Sequence, residues 1–383
     1  MQASIFCEWL SDNSTSIGQL DAAYCNKKLR PDLLNILKST YVLPTLSTNE
    51  TWLIDWVFQR NVRVRNITLV SDKLQDVDFI GALLTQIGAE VTSISFELDV
   101  SEETYAQQNS DPFKIPPYVC SLVPKHCAKL RCIRFVDAIV DPALCEIITR
   151  STQLQEIHFK GAHALTTDIL KVFCAVPSLE VLNLTQAEGF RMSPDLVFTP
   201  EDPIMHNLRT LLVSDTNLSF VTNMALVKQA PNLTEISMRL GGDLGIAYIA
   251  LHCPKLVKCT LTRVPLIDAT TAAVLCKTWT AMQYLALYNN TPLAYASNEV
   301  TCTEDALIML IQQCRSLQRL KTIYSVSSFS RDDLSYPPVD TSSSVSQLVD
   351  LQIGSVTSAT LELICRACPN LYALHLYYKP PSE

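Results

Sequence analysis

The sequence predicts an α/β solenoid, a horseshoe of about twelve strand–helix repeats that follows a small N-terminal helical module. The phrase Pro-x-Leu-x-x-Leu-x-Leu recurs along the chain, often after a Cys, as in residues 368–376 and, less perfectly, residues 253–261. Most copies lie 23 to 31 residues apart, and helix-start signals lie between them. Because one repeat cannot bury its apolar face alone, these observations favour repeats that stack around a continuous core.

Residues 1–60 carry a different pattern from the rest of the chain. Apolar side chains recur at helical spacing around Ile17, Pro31 stands where a second helix could begin, and a third amphipathic segment contains Trp52 and Val57. A polar stretch at residues 45–50 separates the last two segments. We therefore predict three short helices in residues 1–60, packed on one end of a solenoid formed by residues 61–383.

The strand of each repeat is predicted by the alternation of Leu-like and variable positions. Successive side chains of a strand point to opposite faces, so the Leu side chains enter the core and the intervening residues face outward. The first Leu-like positions of the aligned repeats are Val64, Val91, Leu130, Leu154, Leu179, Leu208, Leu233, Leu256, Met282, Leu317, Leu348 and Leu371.

The second half of each repeat is predicted to be a helix that returns the chain to the next strand. Asp141 before Pro142, and Thr303 before an apolar run, are typical of helix N-termini. Two more helices are predicted at residues 167–174 and 358–365. Long spacings between repeats predict insertions at residues 100–124, 189–205, 289–303 and 324–346, and the last three are expected on one rim because each follows a strand.

The 14 Cys residues follow the same register. Four of them stand three residues before the first Leu-like position, namely Cys127, Cys253, Cys314 and Cys368; Cys145, Cys174, Cys276 and Cys365 fall on predicted helices. Fixed offsets favour a small buried residue at the helix-to-strand corner over disulfides or metal sites. The N-terminus lacks the basic start and apolar run of a signal peptide, so we expect a cytoplasmic protein, with the nucleus as the alternative.

This pattern of Leu and Cys resembles the cysteine-containing class of leucine-rich repeats, which is frequent in F-box proteins, over residues 62–378. Residues 5–30 resemble the second half of an F-box, with Cys25 and Arg30 matching its ending. The resemblance implies that this module docks the adaptor of a cullin-type ubiquitin ligase. The adaptor-binding residues that it implies are Ile5, Trp9, Leu10, Ile17, Leu20, Ala23 and Leu29.

Composition and motifs argue against several other functions. The net charge of −8 gives no general attraction to nucleic acid or anionic membranes, and no apolar run is long enough to span a membrane. The single C-x-x-C at residues 365–368 occupies two repeat positions, and His158 and His163 lack metal-site spacing, so we expect no metal and no cofactor. No catalytic signature is present, so we expect neither an enzyme nor a small-molecule substrate.

The concave face of the predicted horseshoe is the candidate partner-binding surface. Tyr and Arg, the residue types that dominate interface hot spots, concentrate in its last four repeats. The candidate residues are Glu156, His158, Arg239, Tyr284, Tyr288, Arg319, Lys321, His375 and Tyr377. The alternative is an ordinary solvated sheet face.

These observations predict a protein-interaction module that recognises the substrate protein of a cullin-type ubiquitin ligase. The N-terminal module would bind the adaptor and the concave face would hold the substrate. The alternative is a scaffold subunit of a larger assembly with no link to a ligase, which the missing Leu-Pro opening of the F-box motif favours.

Overall fold

The computed structural model forms two compact units, divided between Leu179 and Glu180. It describes residues 42–48, 54, 57, 63–98, 113–161, 165–185, 194–214, 216–240, 245–264, 266–288, 302–322, 346–354 and 356–376. None of the helices in these ranges is long and apolar enough to cross a membrane.

The first unit contains a parallel sheet with helices between its strands. Its strands are β1 (Val42–Ser47), β2 (Arg63–Val70), β3 (Ser93–Glu97), β4 (Phe113–Lys114), β5 (Cys132–Val136), β6 (Ala138–Ile139) and β7 (Glu156–Lys160), and its helices are α1 (Val77–Ile87), α2 (Pro117–His126), α3 (Leu144–Arg150) and α4 (Thr167–Cys174). The sheet has the order β1-β2-β3-β5-β7, and β4 pairs separately with β6. Consecutive helices contact one another, as expected for a helix layer beside the sheet.

The second unit repeats this arrangement. Its strands are β8 (Val181–Asn183), β9 (Thr210–Leu212), β10 (Glu235–Arg239), β11 (Lys258–Thr262), β12 (Tyr284–Tyr288), β13 (Arg319–Thr322), β14 (Asp350–Ile353) and β15 (Ala373–Leu376), and its helices are α5 (Phe220–Gln229), α6 (Gly245–His252), α7 (Ala269–Thr278), α8 (Glu304–Gln313) and α9 (Ser358–Ala367). Every strand pairs in parallel with its neighbour in the chain. Both units therefore have the topology of an α/β solenoid.

The predicted register is confirmed for eleven of the twelve aligned repeats. In each of them the strand begins two residues after the first Leu-like position, as β5 does after Leu130. The exception is β2, which begins one residue before Val64. Agreement over so many repeats follows from burial, because a shift by one residue would turn every Leu of a strand away from the core.

Strand β1 was not expected. Its residues overlap the stretch predicted to be a polar connection between helices, yet β1 pairs in parallel with β2. Leu46 is fully buried, and the Thr48 hydroxyl accepts a hydrogen bond from the Val70 amide at 2.9 Å. Pairing with β2 thus outweighs the polar composition of this stretch. Of the predicted N-terminal helices, only Ile54 and Val57 fall within the described residues, and both are helical and buried.

Helix starts were predicted to within a few residues. Thr303 caps α8 as expected, its hydroxyl accepting from the Ala306 amide at 3.2 Å. For α4 and α9 the capping residue is the preceding Thr, Thr166 and Thr357, because a cap has non-helical backbone angles and stands before the first helical residue. Asp141 accepts from the Ala143 and Leu144 amides in a turn that precedes α3.

One predicted insertion was too long. Residues 100–124 were assigned to an insertion, but α2 occupies 117–126 and is the return helix of its repeat. Pro116 and Pro117 at its start explain the error, since a Pro pair suggests a loop although Pro at the first helical position is favourable. Of the other insertions, residues 194–205, 302–303 and 346 are described, and none of these positions lies in a helix or a regular strand.

The core is built from side chains that occupy the same register position on successive strands. In the first unit, Phe96, Phe135 and Phe159 stack with ring centroids 5.4 and 4.7 Å apart, and Phe173 of α4 continues the stack at 5.3 Å. In the second unit, Ile236, Cys259, Leu285, Leu320 and Leu351 form a buried row across β10 to β14. Burial of each large apolar side chain contributes roughly 1.5–3 kcal/mol.

The role predicted for the corner Cys residues is confirmed. Cys127, Cys253, Cys314 and Cys368 are all buried where a helix ends. The amide of Cys127 donates to the Val123 carbonyl, and its own carbonyl accepts from the Leu130 amide at 3.1 Å. Burial raises the pKa of Cys127 and Cys253 to about 12, so these thiols are protonated at neutral pH. They are therefore packing groups and poor nucleophiles.

Candidate protein-binding face

Strands β10 to β15 of the second unit carry a set of polar and aromatic side chains that alternate with the buried core row. We call the half-buried and exposed members of this set the open face. They are Glu235, Ser237 and Arg239 on β10, Lys258, Thr260 and Thr262 on β11, Tyr284 and Tyr288 on β12, Arg319 and Lys321 on β13, Asp350 and Gln352 on β14, and His375 on β15. Strand alternation places them together, because the residues between them, such as Ile236 and Leu285, are buried.

The register arranges the open face in rows. Glu235 pairs with Lys258, Lys258 with Tyr284, Tyr284 with Arg319, and Arg319 with Asp350. Neighbouring strands lie about 4.7–4.9 Å apart, so these five side chains form a continuous row across the sheet. On each side of the Tyr284 ring, the row contains one cation and one carboxylate.

Tyr284 lies at the centre of this row and has a cation on each side. The Lys258 Nζ atom is 6.0 Å from the centroid of its ring, and the Lys321 Nζ atom is 5.9 Å away. Both distances are within the range of a cation–π interaction. Lys258 also forms an ion pair with Glu235, which holds its ammonium group near the ring. The cluster is thus an aromatic surface fixed between two ammonium groups.

The open face has a charge balance opposite to that of the chain. It carries the cations Arg239, Lys258, Arg319 and Lys321 and the carboxylates Glu235 and Asp350, whereas the whole chain has a net charge of −8. A local positive field on an acidic protein attracts acidic groups and disfavours basic ones.

The structure places six of the predicted partner-binding residues on the open face: Arg239, Tyr284, Tyr288, Arg319, Lys321 and His375. Glu156 and His158 lie on β7 in the first unit. The remaining predictions fall outside the described residues; these are Tyr377, the histidine His163, and the adaptor-binding residues Ile5, Trp9, Leu10, Ile17, Leu20, Ala23 and Leu29.

The first unit has a mixed group of side chains that the sequence interpretation overlooked. Cys132 on β5 pairs with Glu156 on β7, and His158 follows Glu156 by two residues and so points to the same side. One ligand atom of each residue lies within 4.8 Å of the other two, and the Nε2 atom of His158 is 3.1 Å from a Glu156 carboxylate oxygen. Burial, with a smaller effect of Glu156, raises the pKa of Cys132. The repeat alignment could have revealed the group, since Cys132 and Glu156 both stand two residues after a first Leu-like position.

Comparison with known proteins gives only distant similarities. Neither a protein-family model nor a curated protein sequence matches this chain. Among solved structures, the chain is similar to one in the yeast Rad7–Elc1 complex, with 12% identity over 99% of this chain and 95% of that chain and a TM-score of 0.43. It is also similar to a chain of the Drosophila Toll–Spatzle complex, with 13% identity over 88% of this chain and 50% of that chain and a TM-score of 0.45.

A third solved structure, the leucine-rich repeat domain of APL1, has 12% identity over 85% of this chain and 87% of that chain, with a TM-score of 0.33. All three scores are below 0.5, and the solenoid topology described above rests on strand order and register alone.

Proposed function

We propose that this chain is a protein-interaction subunit and that its open face holds a partner protein. The observation that carries this proposal is Tyr284, fixed between Lys258 and Lys321 in the middle of a polar row. Tyr and Arg are the residue types that supply most binding energy at protein interfaces, and a ring already held in position loses little conformational entropy on binding. In the horseshoe predicted from the sequence, this face is the concave one.

The partner segment that fits this face best is acidic and contains an apolar or aromatic side chain. Acidic groups would meet Arg319 and Lys321, and the apolar group would cover the Tyr284 ring. Charge complementarity of this kind speeds association and selects among partners more than it adds affinity. We therefore expect binding to weaken as the salt concentration rises.

Affinity purification with three versions of the full chain tests the open face. Wild type, Tyr284→Ala and Tyr372→Ala would serve as baits, and recovered proteins would be quantified by mass spectrometry. Tyr372 is the matched control, since it is 95% exposed and stands just before β15, outside the open face. The recovered amount of a protein that binds the open face should fall at least about tenfold with the Tyr284→Ala bait. Its recovery with the Tyr372→Ala bait should equal that with wild type. Equal recovery with all three baits would contradict the proposal.

We further propose that the chain is the substrate-recognition subunit of a cullin-type ubiquitin ligase in the cytoplasm or nucleus. The support is the resemblance of residues 5–30 to the second half of an F-box, joined to repeats of the cysteine-containing type. In this role the protein catalyses no reaction itself. It holds a substrate on the open face while the N-terminal module binds the adaptor.

Binding to the purified ligase adaptor tests this second step separately. The wild-type chain and Tyr284→Ala should both retain the adaptor, whereas Leu20→Asp should lose it. If the folded wild-type chain fails to bind the adaptor, the ligase role is wrong, and the open-face proposal is unaffected.

The alternative is a scaffold subunit that uses the same open face without a ligase. Strand β1 favours it, because part of the stretch assigned to the N-terminal module joins the parallel sheet through β2. A scaffold would co-purify in a stable assembly without cullin or adaptor. The composition of the assembly recovered with the wild-type bait therefore distinguishes the two roles.

A further inference from the structure

Three side chains of different chemistry meet on the outer positions of β5 and β7 in the first unit. Cys132 and Glu156 are direct register partners on adjacent parallel strands, and His158 lies two residues beyond Glu156. The Cys132 sulfur, a carboxylate oxygen of Glu156 and a ring nitrogen of His158 all lie within 4.8 Å of one another. Because two neighbouring strands of a regular sheet hold their backbones, these atoms are positioned by the fold and not by a loop.

A thiolate, an imidazole and a carboxylate are the three ligand types that zinc uses in proteins. Zinc bonds of about 2.0–2.3 Å at tetrahedral angles require ligand atoms roughly 3.4–3.6 Å apart. The His158 to Glu156 separation of 3.1 Å is already close to this value, and small side-chain rotations bring a third atom from within 4.8 Å into range. We propose that Cys132, Glu156 and His158 form a binding site for a zinc ion.

The proposed site has three protein ligands and one open position. Cys132 is 8% exposed, whereas the side chains of His158 and Glu156 are 23% and 42% exposed, so the metal would reach its ligands from the solvent side. A water molecule would complete the tetrahedron, as in other three-ligand zinc sites. This inference is independent of the proposed function, since it concerns the first unit and not the open face.

The charges around the site are compatible with a divalent cation. On binding, the Cys132 thiol releases its proton to solvent, so the site supplies two negative charges together with the Glu156 carboxylate. Arg134, the register partner of His158, is a cation beside the site, and it is exposed to solvent. Screening by water weakens its repulsion of the metal.

Titration of the full, reduced chain with cobalt(II), followed by competition with zinc(II), tests the proposal. Cobalt bound by a thiolate in a tetrahedral site gives a charge-transfer band in the near ultraviolet and strong d–d bands in the visible. We expect both bands to saturate at a single equivalent and to disappear when zinc is added. Absence of these bands, or binding with no defined stoichiometry, would overturn the proposal.

Variants decide whether these three residues hold the metal. Cys132→Ser should abolish the charge-transfer band, and His158→Gln and Glu156→Gln should each weaken cobalt binding at least about 100-fold. Cys365→Ser is the control, because Cys365 is the exposed member of the C-x-x-C pair and the other candidate thiol for a metal. Loss of the bands in Cys365→Ser with retention in Cys132→Ser would assign the metal to the C-x-x-C pair and refute the site. His158→Gln and Glu156→Gln replace partly exposed side chains, so they keep the test valid if Cys132→Ser impairs folding.

Discussion

The position at the helix-to-strand corner is occupied by different residue types in different repeats. Cys occupies it in four repeats, and Gly88, Ser151, Ala230 and Trp279 occupy it in others, with the same backbone hydrogen bond to the following Leu-like residue. Ser151 is buried and its hydroxyl has no hydrogen-bond partner among the described residues, whereas a thiol at this position needs none. Cys is therefore frequent at the corner because it fills the space without a strong polar group to satisfy.

Replacing Ser151 with Cys should stabilise the protein. The change removes a buried hydroxyl that lacks a partner and supplies the side chain used by four other corners, so we expect a gain of about 1–2 kcal/mol in the free energy of unfolding. Urea denaturation would measure it. Ser358→Cys, at an exposed position at the start of α9, is the control and should change stability by less than about 0.5 kcal/mol. A loss of stability in Ser151→Cys would contradict this explanation of the corner.

At the scale of elements, neighbouring helices are linked at their N-termini. Glu304, the first residue of α8, is 8% exposed and its carboxylate accepts from the amide of Thr357 at 3.0 Å and from the hydroxyl of Thr360 at 2.6 Å. Thr357 is the cap of α9, so this carboxylate links the first residue of α8 to the start of α9. The favourable position of a carboxylate at a helix N-terminus adds to these hydrogen bonds.

Removing this carboxylate should loosen the packing between α8 and α9. We expect Glu304→Ala to lower the free energy of unfolding by about 2–3 kcal/mol, since hydrogen bonds to a charged group are lost and the Thr357 amide and Thr360 hydroxyl lose their acceptor. Glu362→Ala is the matched control, because Glu362 forms an exposed pair with Arg366 on α9 and should cost less than about 0.5 kcal/mol. Thermal and urea unfolding of both variants would show the difference, and equal effects would refute the link.

Two glycines of the first unit should respond to substitution in opposite ways. Gly81 lies inside α1, and no atom of a neighbouring described residue lies within 4 Å of the position that a Cβ would occupy, so Gly81→Ala should stabilise the protein by about 0.5–1 kcal/mol. A Cβ at Gly88 would lie 2.9 Å from the carbonyl oxygen of His126, so Gly88→Ala should destabilise it by about 1–3 kcal/mol. Urea unfolding would measure the stability of both variants. A stabilised Gly88→Ala would show that the corner has room for a Cβ beside the His126 carbonyl.

At the scale of the whole molecule, the sequence predicted the strands that recur in every repeat and missed features that occur only once. Eleven strand starts followed from the spacing of Leu-like residues, because burial enforces the same register in every repeat. Strand β1 lacks that pattern and becomes a strand only by pairing with β2, which is a tertiary effect. The meeting of Lys258 and Lys321 at Tyr284 depends on side-chain reach across neighbouring strands, which a pattern of residue types does not specify.

Photo-cross-linking at Tyr284 shows directly whether the open face holds a protein partner. A photoreactive phenylalanine analogue would replace Tyr284 in one version of the chain and Tyr372 in another, and each would be irradiated in cells that express it. We expect a discrete cross-linked partner from position 284 that is absent from position 372, and its yield should fall when Lys321→Glu reverses a neighbouring charge. Cross-links of equal yield from both positions, or none from position 284, would contradict it.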